Sequence, residues 1–219
     1  MAGAVAWVAA AALPGDARAA STNLLINGSF ELGGPAGTYY PGDVAITGWH
    51  ITHYGVDLME FPDWQASDGV RSLDMSANDW GGVRQDLTGL TPGASYRVEF
   101  DLAANPDAQM DRALSTTVDN GVYNLFSITD VFDYTNQTPA NMGWLTIFHD
   151  FVYQGAGNLS LSLVNGASGS PYGPALDNVR LYRIDQTTAV PLPPAAALFA
   201  TALAGLAAVR LRRRQSGTA

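Results

Sequence analysis

The chain has 219 residues, no cysteine, and a formal charge of -9 from 20 acidic against 11 basic side chains, every basic one an arginine. That length holds one sizeable domain plus appendages, and the missing cysteines exclude disulfides, thiolate metal sites and a thiol nucleophile. Arg18, Arg210, Arg212, Arg213 and Arg214 lie near the two ends, so the body between them is more acidic than the total implies. Such a surface repels nucleic acid and anionic lipid and attracts cations.

Residues 2–13 form an apolar run of signal-peptide length, broken by Pro14 and Gly15 and followed by Ala17-Arg18-Ala19, a small-x-small cleavage pattern. No Lys or Arg precedes the run, as expected if translation starts upstream of Met1. The expectation is a signal peptide over residues 1–20 and a folded body over 21–185. Residues 23–31 (NLLINGSFE) are predicted as the first strand, 35–43 as a Gly/Pro-rich loop and 44–52 as the second strand. A polar loop over 61–69 holds Trp64. Strands follow over 70–76 and 82–88, with Trp80-Gly81 between them and a turn at Thr91-Pro92-Gly93. Residues 96–102 alternate cleanly, with Tyr96, Val98, Phe100 and Leu102 on one face and Arg97, Glu99 and Asp101 on the other. Asn120-Gly121 is a two-residue hairpin signal between strands at 113–119 and 122–128. Further strands are predicted over 144–153, 158–164 and 173–184. In the last, alternation puts Asp177 on the face of Val179 and Leu181, where a carboxylate is costly unless something pairs it. About ten short strands without helical periodicity predict an all-β fold, a sandwich or jelly roll.

After a polar linker comes VPLPPAAALFATALAGLAAVRLRRR. As a helix, its apolar run 195–209 spans about 22 Å, short of a hydrocarbon core of ~30 Å. One short transmembrane helix is predicted over 195–211, with the arginines on the cytoplasmic side and the body outside the inner membrane. Val190, Pro191, Leu192, Pro193, Pro194 and Ala195, the apolar run and the arginines together resemble the VPLPA-type variant of the bacterial PEP-CTERM sorting signal, with Pro194 as an extra proline. The resemblance implies an exosortase partner, a transient inner-membrane stage over the segment 186–219, and delivery to the envelope, cell surface or extracellular matrix. A plain single-span anchor is the alternative.

The body resembles the choice-of-anchor C family, which is related to DUF642 domains. The residues that carry the likeness are 23–31, Gly48-Trp49, WQASDGVRSLD at 64–74, Gln85, Thr91-Pro92-Gly93, Asn105-Pro106, Asn141-Met142-Gly143-Trp144 and GPALDNV at 173–179. The resemblance implies a galactose-binding-like jelly roll, a polysaccharide partner, and a structural Ca²⁺ near the joined termini. Phe30-Glu31 and Leu176-Asp177 match its metal pattern, so Glu31 and Asp177 are the expected ligands. The competing reading makes Glu31 a solvated charge and Asp177 a turn carboxylate that accepts backbone N–H groups.

For catalysis the sequence offers little. GxSxG and HExxH are absent, and His50 and His53, three apart, fall on opposite faces of a strand. No carboxylate pair stands out as an acid/base couple. Trp64, Gln65, Asp68, Arg71 and Asp74 concentrate an aromatic ring with polar groups, the chemistry that stacks and hydrogen-bonds a sugar, and Tyr39, Tyr40, Tyr54 and Trp80 join from neighbouring loops. Against this, Trp64 is a core candidate and Arg71 can pair with Asp74. The expectation is an exported, non-enzymatic β-sandwich that binds extracellular polysaccharide. A purely structural matrix protein and a glycan-active enzyme are the alternatives.

Overall fold

The computed structural model of the protein describes residues 22–184, except 109, 123, 156, 167 and 168. The predicted signal peptide, linker, sorting motif and membrane helix lie outside the described residues. Eleven strands are present: β1 Gly37–Tyr39, β2 His50–His53, β3 Val56–Glu60, β4 Arg71–Asp74, β5 Gly81–Leu87, β6 Ser95–Ala103, β7 Arg112–Asp119, β8 Asn124–Phe132, β9 Leu145–Val152, β10 Leu159–Asn165 and β11 Ala175–Arg183. They form a six-stranded sheet, β1-β3-β4-β11-β6-β9, and a five-stranded sheet, β2-β5-β10-β7-β8. The strand pairings are antiparallel, and no described residue is helical. This is the predicted all-β jelly-roll sandwich.

The core lies between the sheets, where alternate residues of the longer strands turn inward; most are apolar, but Arg112 and Thr116 of β7 are buried with them. Tyr96, Val98, Phe100 and Leu102 of β6 are buried, as are Leu159, Leu161 and Leu163 of β10 and Leu114 and Val118 of β7. Rings cross the gap near one edge: Phe126 of β8 lies 5.9 Å from His149 and 5.7 Å from Phe151, both on β9. A β7–β8 hairpin forms around Asn120-Gly121, with Gly121 at φ 78°, but not as the predicted two-residue turn: the connection runs over 120–123, β8 starts at Asn124, and the register shifts at Val118/Asp119.

Several predictions fail locally, among them the second strand over 44–52, which is strand only from His50 onward. Residues 23–31 are not a strand, because Asn27 and Phe30 take left-handed φ values of 56° and 58°. The segment still lies along β11: Leu24 N donates to Leu181 O at 2.7 Å, and Val179 N donates to Gly28 O at 2.8 Å. Buried Gln85 pins it from the other sheet, accepting from Ile26 N and donating to Ile26 O. Next, β1 lies inside the predicted loop 35–43, and β3 was not predicted at all. Finally, β11 carries a bulge between Asp177 and Arg180, with Asn178 at φ 51°. The extra residue resets the alternation. Asp177 therefore pairs with Asp101 and shares its outward face, while Val179 and Leu181 point into the core.

Candidate functional site

The five-stranded sheet turns one face to the core and the other outward, and its register builds the outer face row by row. One row runs His50, Arg84, Ser162, Thr117, Ser127 across β2, β5, β10, β7 and β8. The next runs Thr52, Gly82, Val164, Ser115, Thr129. On the other side of the first row stand Asp86, Ser160 and Asp119. Hydroxyls bond across the strands, Thr117 with Ser127 and Ser115 with Thr129, each at 3.0 Å. Arg84 Nη2 donates to Asp86 Oδ1 at 2.7 Å on the open surface.

At the Asp86 end this face dips into a cleft of about 520 Å³, lined among others by Arg84, Asp86, Asp119, Asn120, Asn158 and Ser162. That volume falls within the usual range of small-molecule sites. The β7–β8 turn forms one wall. Asp119 Oδ1 accepts from Gly121 N at 2.8 Å and Asn120 Oδ1 from Val122 N at 3.0 Å, which holds the turn in shape. Carboxylates, amides, hydroxyls and one guanidinium therefore converge on a concave surface. This set can both donate to and accept from neighbouring hydroxyls of a ligand. No stretch of sequence announced it, because its residues come from three strands and two turns.

Among the described residues, the outer side of the six-stranded sheet is taken up differently. Ion pairs occupy its β9–β6–β11 part. Arg97 binds Asp150 through two bonds of 2.7 and 2.8 Å and lies 3.8 Å over the Phe148 ring, and Arg180 bonds Glu99. Another part is roofed by the loop that leads into β4. Ser67 N and Asp68 N donate to Asp177 Oδ2 at 2.7 and 2.8 Å, and Ser67 Oγ bonds Asp101.

That roof corrects the predicted sugar face. Trp64 is 1% exposed, so it has no free ring face to stack on a sugar. Asp74 is buried and accepts from Asn105 Nδ2, Ser76 N and Gly173 N, with burial holding its carboxyl well above the usual carboxylate range. Arg71 does not pair with Asp74; its Nε donates to Glu60 at 2.7 Å and its Nη1 to Gly34 O at 3.0 Å. Gln65 and Asp68 are exposed, but the buried tryptophan and aspartate do not join them on one surface. Of the aromatic residues expected to join, Tyr39 donates to Pro35 O, while Tyr40 and Tyr54 are exposed.

Glu31 and Asp177 hold opposite ends of the same loop. Val70 N and Arg71 N donate to Glu31 Oε1 at 2.7 and 2.9 Å, as Ser67 N and Asp68 N do to Asp177. For Asp177 this is the turn-carboxylate role weighed against the metal; Glu31 takes a like role in place of the solvated charge expected of it. Among the described residues no three His, Cys, Asp or Glu side chains converge on a metal position. In favour of a cation, the buried carboxylates Asp177 and Asp101 face each other across β11 and β6, and among the described residues only neutral groups are bonded to either. Burial pushes Asp177 up to about 7.

A sequence model of the family described as "Protein of unknown function (DUF642)" matches residues 23–182. Halomucin of Haloquadratum walsbyi is 26% identical over 186 residues, which cover 81% of this chain and 2% of that protein. Among solved structures, TmCBM61 in complex with β-1,4-galactotriose superposes with a TM-score of 0.54 at 16% identity, over 75% of this chain and all 100% of that one. The Stig cyclase Fisc of Fischerella sp. TAU reaches 0.50 at 18% identity, over 75% of this chain and 98% of that one. The arabinose-bound α-L-arabinofuranosidase MgGH51 also reaches 0.50, at 15% identity, over 74% of this chain and 26% of that one. At such identities the likeness shows the fold alone, and one fold that serves a cyclase and a glycosidase does not decide activity.

Proposed function

Because this chain belongs to the DUF642 family and has a galactose-binding-like sandwich, we propose that it is a non-catalytic polysaccharide-binding module. Its ligand lies on the open outer face of the five-stranded sheet, seated in the cleft of Arg84, Asp86, Asp119, Asn120 and Asn158. The cleft carries the proposal: it is concave, lined by convergent polar groups, and set at the outward end of β5 and β10. The bound galactotriose of TmCBM61 supports a sugar by analogy of fold. Titration of the protein with β-1,4-galactotriose and other neutral oligosaccharides tests this. Arg84→Ala and Asp119→Ala each remove charge-assisted hydrogen bonds and weaken binding by roughly 10- to 100-fold. If no glycan in such a panel binds, the protein is a structural matrix component. If reducing ends are released, it is an enzyme.

Two proposals rest on narrower support. The choice-of-anchor C likeness and the motif Val190–Ala195 support export and exosortase processing, with delivery to the cell surface or matrix. The uncompensated pair Asp177 and Asp101 supports a structural Ca²⁺ beside Glu31 and Asp177. Glu31 Oε2 makes no hydrogen bond among the described residues and offers such an ion a further oxygen.

A further inference from the structure

At the end of β5 opposite the cleft, three rings gather. Trp80 immediately precedes β5 and lies 4.1 Å from His53 and 6.4 Å from Tyr54, centroid to centroid. Trp80 is only half-buried, and Tyr54 remains 55% exposed. Tyr40, 46% exposed, sits nearby, with its hydroxyl accepting from Asn78 Nδ2 at 2.9 Å.

The backbone that carries the rings is held at Trp80 from both sides. Trp80 O accepts from Tyr54 N at 3.2 Å, and Asp79 Oδ1 accepts from Trp80 N at 2.7 Å. His53 adopts φ 58°, a left-handed conformation that costs a residue with a Cβ. Core packing does not require that conformation, since the His53 side chain is exposed. Its effect is to turn the imidazole onto Trp80. Aromatic rings on a backbone fixed in this way, one of them packed on His53, lose less entropy when a ligand stacks on them than rings on a mobile loop would.

Position links this cluster to the cleft. Alternation along β5 aligns Trp80 with Gly82, Arg84 and Asp86, the outward residues. Gly82 lies between, where a Cβ would meet Thr52 Oγ1 at 2.6 Å and Val164 Cγ2 at 3.0 Å, so the face stays low there. From Trp80 to Asp86 the strand covers about 20 Å, the reach of several sugar rings rather than one.

We propose that Tyr54 and Trp80 form a stacking subsite for a pyranose ring, so that the ligand is an extended neutral glycan lying along β5 from this subsite to the Arg84–Asp86 cleft. The inference rests on the glycan-binding reading above and adds the ligand's length and charge. Neutrality follows from the net charge of -9, which repels an acidic polymer, and from Arg84 being paired with Asp86.

The test compares β-1,4-linked galacto-, xylo- and cello-oligosaccharides of three and six residues, titrated into the full chain by calorimetry. The expected result is a hexamer that binds at least tenfold more tightly than its trimer. Tyr54→Ala then lowers hexamer affinity to that of the trimer and leaves trimer binding in the cleft unchanged. Because Tyr54 is mostly exposed, its removal leaves the fold intact; Trp80→Phe, which keeps a ring, gives a smaller loss in the same direction. Equal affinity for trimer and hexamer, or a hexamer indifferent to Tyr54→Ala yet abolished by Arg84→Ala, overturns the subsite and leaves the cleft standing. Absence of binding by every oligosaccharide overturns both.

Discussion

Asp177 shows how much one residue can carry. Sequence alternation put it on an apolar face; the bulge at Asn178 moves it outward, under a loop whose N–H groups it accepts. Burial raises it to about 7. A carboxylate whose folded value exceeds its unfolded one contributes stability that is fully present below the unfolded value. That contribution is lost as pH rises through about 7. In chelator, the melting temperature should therefore fall between about pH 4 and pH 8. Asp177→Asn keeps an oxygen for Ser67 N and Asp68 N and should flatten part of the fall. Buried Asp74, raised in the same direction, keeps the slope from vanishing. Ca²⁺ at this place would favour the charged form, so adding it should raise the melting temperature more at pH 8 than at pH 5, and not in Asp177→Asn. A melt at pH 8 indifferent to both Ca²⁺ and chelator sinks the metal proposal, whereas the pH slope tests burial by itself.

At the level of elements, the loop before β4 is a structural roof, and this explains which strands and sites the sequence revealed. The strands β6 and β10 were legible because both alternate over their length with one face in the core. Residues 23–31 looked equally strand-like, yet side chains settle their path: Asn23 accepts from Leu181 N and donates to Val179 O, standing in for a strand partner. Trp64 misled for a similar reason. A tryptophan among polar neighbours looks exposed until tertiary packing lays its loop over a sheet. Its burial predicts that Trp64→Ala destabilises the fold by about 3–5 kcal/mol, as truncation of a large core aromatic does. Urea denaturation should show that loss as a lower midpoint. Glycan affinity, measured where the variant is still folded, should not change. A variant of near-native stability with lost affinity would return Trp64 to the binding face. Gly69→Ala probes the same roof: at φ +70° its Cβ would fall 2.2 Å from Glu31 Oε1, and the loop's Glu31 tether should weaken.

The whole molecule assembles what no segment contains. The outer row His50, Arg84, Ser162, Thr117 and Ser127 draws one residue from each of five strands, so this polar face exists only once the sheet is in register. The fold class was legible from strand spacing, but this face was not, because periodicity says that a residue points outward and not which residues become its neighbours. Delivery is the complementary case, where the sequence is informative and the described structure, ending at residue 184, is silent. Pro191, Pro193 and Pro194 lack backbone N–H groups and bias their neighbours away from helix, so an extended motif is the expectation from sequence. An extended segment beside a short apolar run presents its peptide bonds to an enzyme at the membrane surface, as a helix would not. A run of about 22 Å suits a stop that holds the chain while it is cut better than a permanent anchor. The chain is therefore expected to be cleaved close to the motif at 190–195 after export. On that proposal the sandwich is released, and the arginines stay behind with the apolar run. Intact-mass measurement on envelope and medium fractions decides it: mature protein that still carries Arg212, Arg213 and Arg214 shows the tail to be a plain anchor, and the sorting proposal fails.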